Sequence, residues 1–167
     1  MTAARRWRLV PLLGALACQD LQTSLTPEEE VTVDRYLACI DCIIPLDSVR
    51  ALATRKADAV VDSLNSGLLY GPGPQMVAVA ESVLAIGYVR DSTWRLQQGL
   101  QPLPQRLTYV SEARDRYVNG YRTRGAIGMG WIHTPRAVAH LDSAATLPLP
   151  PSVKQAVLYA RDSLPPP

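Results

Sequence analysis

Phenylalanine is absent from this 167-residue chain, and aromatic residues of all kinds make up only 6% of it. A core must therefore be assembled from Val, Leu, Ile and Ala, which the 47% hydrophobic content supplies. Long apolar runs are also missing. Past residue 20 no stretch is long and apolar enough for a membrane-spanning helix, which needs about 20 such residues. Histidine is limited to His133 and His140. Their seven-residue separation fits no common zinc finger with Cys39 and Cys42, and Asp142 falls on a different helix face from His140. Haem attachment would need a histidine after Cys42, where Ile43 stands. Both histidines are read as surface residues, and no metal site or cofactor is expected. The stretch GAIGMG, residues 125–130, reads GxxGxG and follows no strand, so it is not a nucleotide-binding loop. Its glycines instead suit close approach of helix backbones.

What is present begins with an export signal. Arg5, Arg6 and Arg8 form a basic region, and Leu9 to Ala17 is an apolar stretch too short to span a bilayer. Ala15-Leu16-Ala17 then places small residues at the positions a signal peptidase reads, directly before Cys18. This arrangement resembles the lipobox of bacterial lipoproteins. The resemblance implies cleavage before Cys18, acylation of that cysteine, and attachment to an envelope membrane facing the periplasm. Gln19 stands where an Asp would favour retention at the inner membrane, so the outer membrane is the expected address. Ala-x-Ala also serves ordinary secretory cleavage, and a secreted, unlipidated protein is the alternative. Cleavage removes three arginines and no acid, turning a net charge of +2 into about −1. Global basicity then gives no argument for nucleic-acid binding.

If Cys18 carries lipid, the two remaining cysteines form CIDC, Cys39 and Cys42. In an oxidising compartment they are expected to close a small local disulfide. Redox activity is the alternative, although thioredoxin-like proteins place CxxC after a strand at a helix N-terminus, whereas here it falls late in a predicted helix.

Beyond a tether over 18–25, the pattern is helical throughout. TPEEE at 26–30 offers Thr26 as N-cap, Pro27 at the first position and a capping box with Glu29; this helix is expected to run to about Ile43. Apolar positions 46, 49, 52, 53, 57, 60, 61, 64 and 68 step by threes and fours, as one helix or two with a turn near 54–56. YGPGPQ breaks the chain at 70–75. Residues 76–90 are apolar nearly all round, which predicts a helix in the middle of a packed layer. Asp91-Ser92 is expected to cap a separate short segment through Gln101. Pro104 opens a long segment with Leu107, Val110, Ala113, Tyr117 and Tyr121 on one face, which Gly120 divides. A small-residue helix over 121–132, a Thr134-Pro135 start and a last helix carrying Val153, Val157, Ala160 and Leu164 complete it.

Gly130-Trp131-Ile132, Thr134-Pro135 and Ala137-Val138-Leu141 make residues 121–164 similar to a HEAT-type repeat and the first helix of the next, with a weaker echo over 46–68. The resemblance implies an all-α fold, a short solenoid of stacked antiparallel helix pairs over 26–164. A signal peptide (1–17) precedes it and a disordered tail (165–167) follows. Each pair is too small to bury its own stripe and must stack on a neighbour.

Charge is segregated along the chain. Residues 20–62 carry a net −5, and residues 106–136 a net +4. Arg114, Arg116, Arg122, Arg124 and Arg136 are the expected partner-binding group, for an acidic protein, an anionic glycan or head-to-tail association between molecules. The functional expectation is a non-catalytic envelope scaffold tethered through lipid, with no nucleic-acid partner; an envelope thiol–disulfide protein using Cys39 and Cys42 is the rival.

Overall fold

The computed structural model describes residues 24–39 and 46–162. Among them all regular structure is helical: α1 (Pro27–Ala38), α2 (Leu46–Tyr70), α3 (Pro74–Gln97), α4 (Arg106–Ile132), α5 (Pro135–Ala145) and α6 (Pro151–Asp162). The all-α expectation holds. None of these helices is long and apolar enough to cross a membrane. Cys18 lies outside the described residues, as do Cys42 and the tail from 163.

Helix α1 starts as its sequence dictates. The Thr26 hydroxyl accepts from the Glu29 amide, and the Glu29 carboxylate accepts from the Thr26 amide at 2.8 Å. The same carboxylate receives Lys56 Nζ at 2.7 Å, and Lys56 also donates to the Ser24 carbonyl. Lys56 is the one residue within α2 that leaves helical geometry (φ −140, ψ 52). The kink thus brings its ammonium to the N-terminus of α1. Helix α1 stops at Ala38, short of Ile43: Cys39 is extended (φ −79, ψ 103), and the Leu37 carbonyl accepts from Arg124.

The core gathers Val33 and Leu37 from α1, Val49, Val60, Val61, Leu64 and Leu68 from α2, and Ala126 and Met129 from α4. Leu141 from α5 and Val153 and Val157 from α6 complete it. These are the predicted apolar stripes of α2, α5 and α6. Helix α4 holds the centre and touches every other helix, and α2 packs against α1, α4 and α5. Gly125 permits the closest approach: a Cβ there would lie 2.5 Å from the Leu64 carbonyl oxygen and 2.8 Å from the Leu68 nitrogen. Helix ends are tied by side chains. Arg122 donates to the Leu68 and Leu69 carbonyls at the end of α2, and Lys154 Nζ to the Ala145 and Leu147 carbonyls after α5.

Three expectations are corrected. Residues 91–97 continue α3, whose end comes at Gln97 before a left-handed Gly99 (φ +63). Asp91 caps nothing; its carboxylate accepts from the adjacent Arg90. Helix α4 runs unbroken through Gly120, because a glycine keeps its amide in the ladder and costs only about 1 kcal/mol, within reach of packing to overcome. The third concerns α3: instead of lying within a packed layer, it has no buried residue.

Candidate interaction surface

Among the described helices, α3 touches only α4. At 1.5 Å per residue its 24 residues extend about 36 Å, and with the first half of α4 they form an antiparallel hairpin. The hairpin is fastened along one side. The Tyr88 and Tyr109 rings meet at 5.2 Å between centroids, and the Tyr88 hydroxyl donates to the Pro104 carbonyl at 3.0 Å. Arg95 Nε donates to the Gln101 carbonyl at 2.6 Å, closing the tip. Arg114 reaches Glu81 across the hairpin at 3.5 Å while also binding Asp115. Ala113 is buried at this seam.

The outer face of α3 is apolar and open. Val79, Val83 and Ile86 are 65%, 62% and 72% exposed, and Val89, Trp94 and Leu96 are exposed beside them. Leu107, expected on one face of α4 with Val110, Ala113, Tyr117 and Tyr121, is 85% exposed. Most of the exposed large hydrophobic residues of the described chain therefore sit on this hairpin. Contiguous exposure of that kind marks interaction sites in soluble proteins. Two open grooves flank α3. One, about 1060 Å³, is lined by Ala78, Ser82, Ala85, Ile86, Val89 and Leu107. The other, about 840 Å³, runs past Met76, Val79, Val83, Tyr109 and Tyr117 to Ala38 at the end of α1.

This surface has a sequence signature that overall apolarity obscures. Met76, Val79, Val83 and Ile86 step by three, four and three, the seam of a helix that pairs with another helix. Hydrophobicity on every face does not by itself distinguish a central helix from a protruding one.

The predicted arginines are distributed differently. On α4 Arg114 and Arg122 occupy one side and Arg116 and Arg124 another, following the 100° step of the helix. Arg122 and Arg124 direct guanidinium nitrogens to carbonyls of α2 and α1, where they fix helix ends. Arg136 at the start of α5 binds Asp62 through two hydrogen bonds of 2.7 Å, and Arg116 lies 4.0 Å from Glu112. The structure does not gather the five into one free basic patch.

Cys39 is buried and disulfide-bonded, while its expected partner Cys42 lies outside the described residues. His140 Nε2 is 3.3 Å from Asp62, and His133 ends α4 in a left-handed conformation (φ 52). Among the described residues no group of three His, Cys, Asp or Glu could hold a metal ion. Tyr36 is pushed up to about 12 by burial, against the nearby Arg124, and its hydroxyl donates to the Arg124 carbonyl. That tyrosine belongs to the packing of α1 on α4.

No protein-family model, no curated protein and no solved structure matches this chain.

Proposed function

We propose that the chain is a non-catalytic interaction module whose working surface is the outer face of the α3–α4 hairpin, carried on a short HEAT-like solenoid. The observation that carries this reading is the exposure of Val79, Val83 and Ile86 on a helix with no buried residue of its own. An unpartnered apolar stripe of this length is unfavourable in water unless a second surface covers it.

The solenoid reading is supported by which helices touch. With α1 and α2 as one pair, α4 and α5 as the next, and α6 as the start of a third, α1 meets α4, α4 meets α6, and α2 meets α5. Helix α1 does not touch α6. Contacts limited to adjacent units are the pattern of stacked repeats. Helix α3 and the first half of α4 then form an insertion between the first and second units.

Residues 5–18 carry the address: cleavage before Cys18, acylation, and a periplasm-facing position on a bacterial envelope membrane, with the outer membrane favoured. The buried Cys39 suits a structural cross-link with Cys42 better than a redox pair, since reactive thiols need access.

Photo-crosslinking tests the interaction reading. A photoreactive residue replacing Ile86 in the full chain, expressed in a bacterial envelope, is expected to give intermolecular adducts. The same residue replacing exposed Asp142 is not. Equal yields at the two positions, or none at Ile86, would overturn it.

A further inference from the structure

We infer that the free end of the α3–α4 hairpin, residues 94–107, docks end-on into the headgroup region of an anionic phospholipid surface. This rests on reading the hairpin as the part of the molecule that meets a partner, and it names what its end meets.

Apolar side chains surround this end. Trp94, Leu96 and Leu107 are 54%, 82% and 85% exposed, and Leu100 in the connection is 45% exposed. Trp94 and Leu96 stand two positions apart, about 200° around α3, so a partner laid along one side of the hairpin covers only one of them. Along the axis they are only about 3 Å apart, both in the last turn of α3, and Leu107 sits in the first turn of α4. A partner met end-on therefore receives all of them at nearly one depth. A protein would need a socket shaped to the tip. A lipid surface needs none, and its headgroup level is where an indole is favoured, with its ring in apolar contact and its N–H still wet.

Charge selects the kind of surface. Residues 92–111 contain no Asp or Glu, and their only charges are Arg95 and Arg106. Arg106 is exposed, and Arg90, one turn behind Trp94, is 81% exposed beside Asp91. Guanidinium groups beside and behind a set of apolar side chains meet phosphates as the apolar groups enter. Each contributes about a 5-fold gain in affinity for an anionic surface.

The backbone of the connection suits partial loss of water. The Gln98, Gly99 and Leu100 amides donate to the Trp94, Leu96 and Arg95 carbonyls. Pro102 and Pro104 have no amide to leave unpaired, and the Gln101 and Pro104 carbonyls accept from Arg95 and Tyr88. Unpaired backbone groups are what bar ordinary loops from lipid, so this pairing lowers the cost of entry. The expected depth is about 5–10 Å, that of an interfacial element.

Vesicle flotation tests the inference. The chain from Gln19 onward keeps every described helix and lacks both signal and acyl chains, so any binding is its own. It should bind vesicles of about 30% phosphatidylglycerol in phosphatidylcholine at least about 10-fold more tightly than phosphatidylcholine alone, and about 0.5 M NaCl should remove the difference. Binding of this kind is reversible and lost on washing, so it supplements a lipid anchor and does not replace one. Leu96→Glu should weaken it at least about 10-fold, and Arg106→Gln about 5-fold on anionic vesicles only, with helical circular dichroism unchanged in both. Ile86→Glu, roughly 16 Å behind Gln97 along α3, should leave it unaltered. No binding at about 1 mM lipid would overturn the inference. So would binding indifferent to Leu96→Glu, or reduced equally by Ile86→Glu. If Ile86 crosslinks to a protein while vesicles do not bind, the tip contact fails and the interaction reading stands. If vesicles bind and Ile86 gives no adducts, the outer-face reading fails and the tip contact stands; with neither, both fail.

Discussion

Arg136 grips Asp62 across 74 residues of chain, its Nε and Nη2 each 2.7 Å from a carboxylate oxygen. The pair fastens the first turn of α5 to the middle of α2. His140 Nε2 stands 3.3 Å from the same carboxylate. Partial burial pushes the Asp62 carboxyl up, but the hydrogen bonds from Arg136 and His140 together outweigh it and hold the group below its ordinary value.

That direction sets the pH dependence. A carboxyl lowered in the folded state stabilises it above the ordinary carboxylate range, and the contribution disappears as pH falls through the folded value. Glu29 acts with the same sign, held low first by its hydrogen bond from Lys56. The melting temperature should therefore fall as pH drops from about 5 towards 3. Asp62→Asn should flatten that slope. At pH 7 it should cost only about 0.5–1 kcal/mol, since both partners are nearly half exposed.

Glycine substitutions should separate the packed and open parts of the molecule. Gly125→Ala forces a methyl group into the α2 backbone, and neither the Leu64 carbonyl nor the Leu68 amide can move alone. Overpacking should outweigh the gain in helix propensity and destabilise by about 2–3 kcal/mol in urea titration. Gly87 in α3 has nothing within 4 Å of the position a methyl group would take, so Gly87→Ala should stabilise the hairpin by up to about 1 kcal/mol.

How the chain folds locally is legible in its residues because the governing interactions are short in range. Thr26-Pro27 and Thr134-Pro135 announce helix starts, and both threonine hydroxyls accept amide hydrogens where expected. The apolar spacing from Val49 to Leu68 names most of the residues that α2 buries. Gly125 is a seam residue, as the small-residue run suggests. The ends of α1 and α3 are less legible. Arg124 takes the Leu37 carbonyl from 87 residues away, which no local rule anticipates. The candidate surface is harder still. Apolarity on all sides of 76–90 suits a helix surrounded by its own chain, but it equally suits one that meets another molecule. Likewise the charges of Arg122 and Arg124 are visible in the sequence, but their use as helix-end donors depends on how α4 crosses α1 and α2.

The export address makes a separate prediction. Intact-mass measurement of the mature protein should show a chain beginning at Cys18 and heavier by a diacylglyceryl or triacyl modification. Cys18→Ser should remove the added mass and release the protein from the membrane fraction. An uncleaved precursor in the cytosol would contradict the envelope reading, and a cleaved, unmodified Cys18 would move it to the secreted form.

The interaction reading turns on whether the outer face of α3 is covered when the protein is assembled. Carbene footprinting of the full chain in its native membrane, set against the same chain diluted in detergent, measures this side chain by side chain. Val79, Val83, Ile86 and Val89 should lose several-fold in labelling when assembled, while exposed Tyr159 on α6 labels equally in both. Equal labelling of the α3 residues in the two states would contradict it.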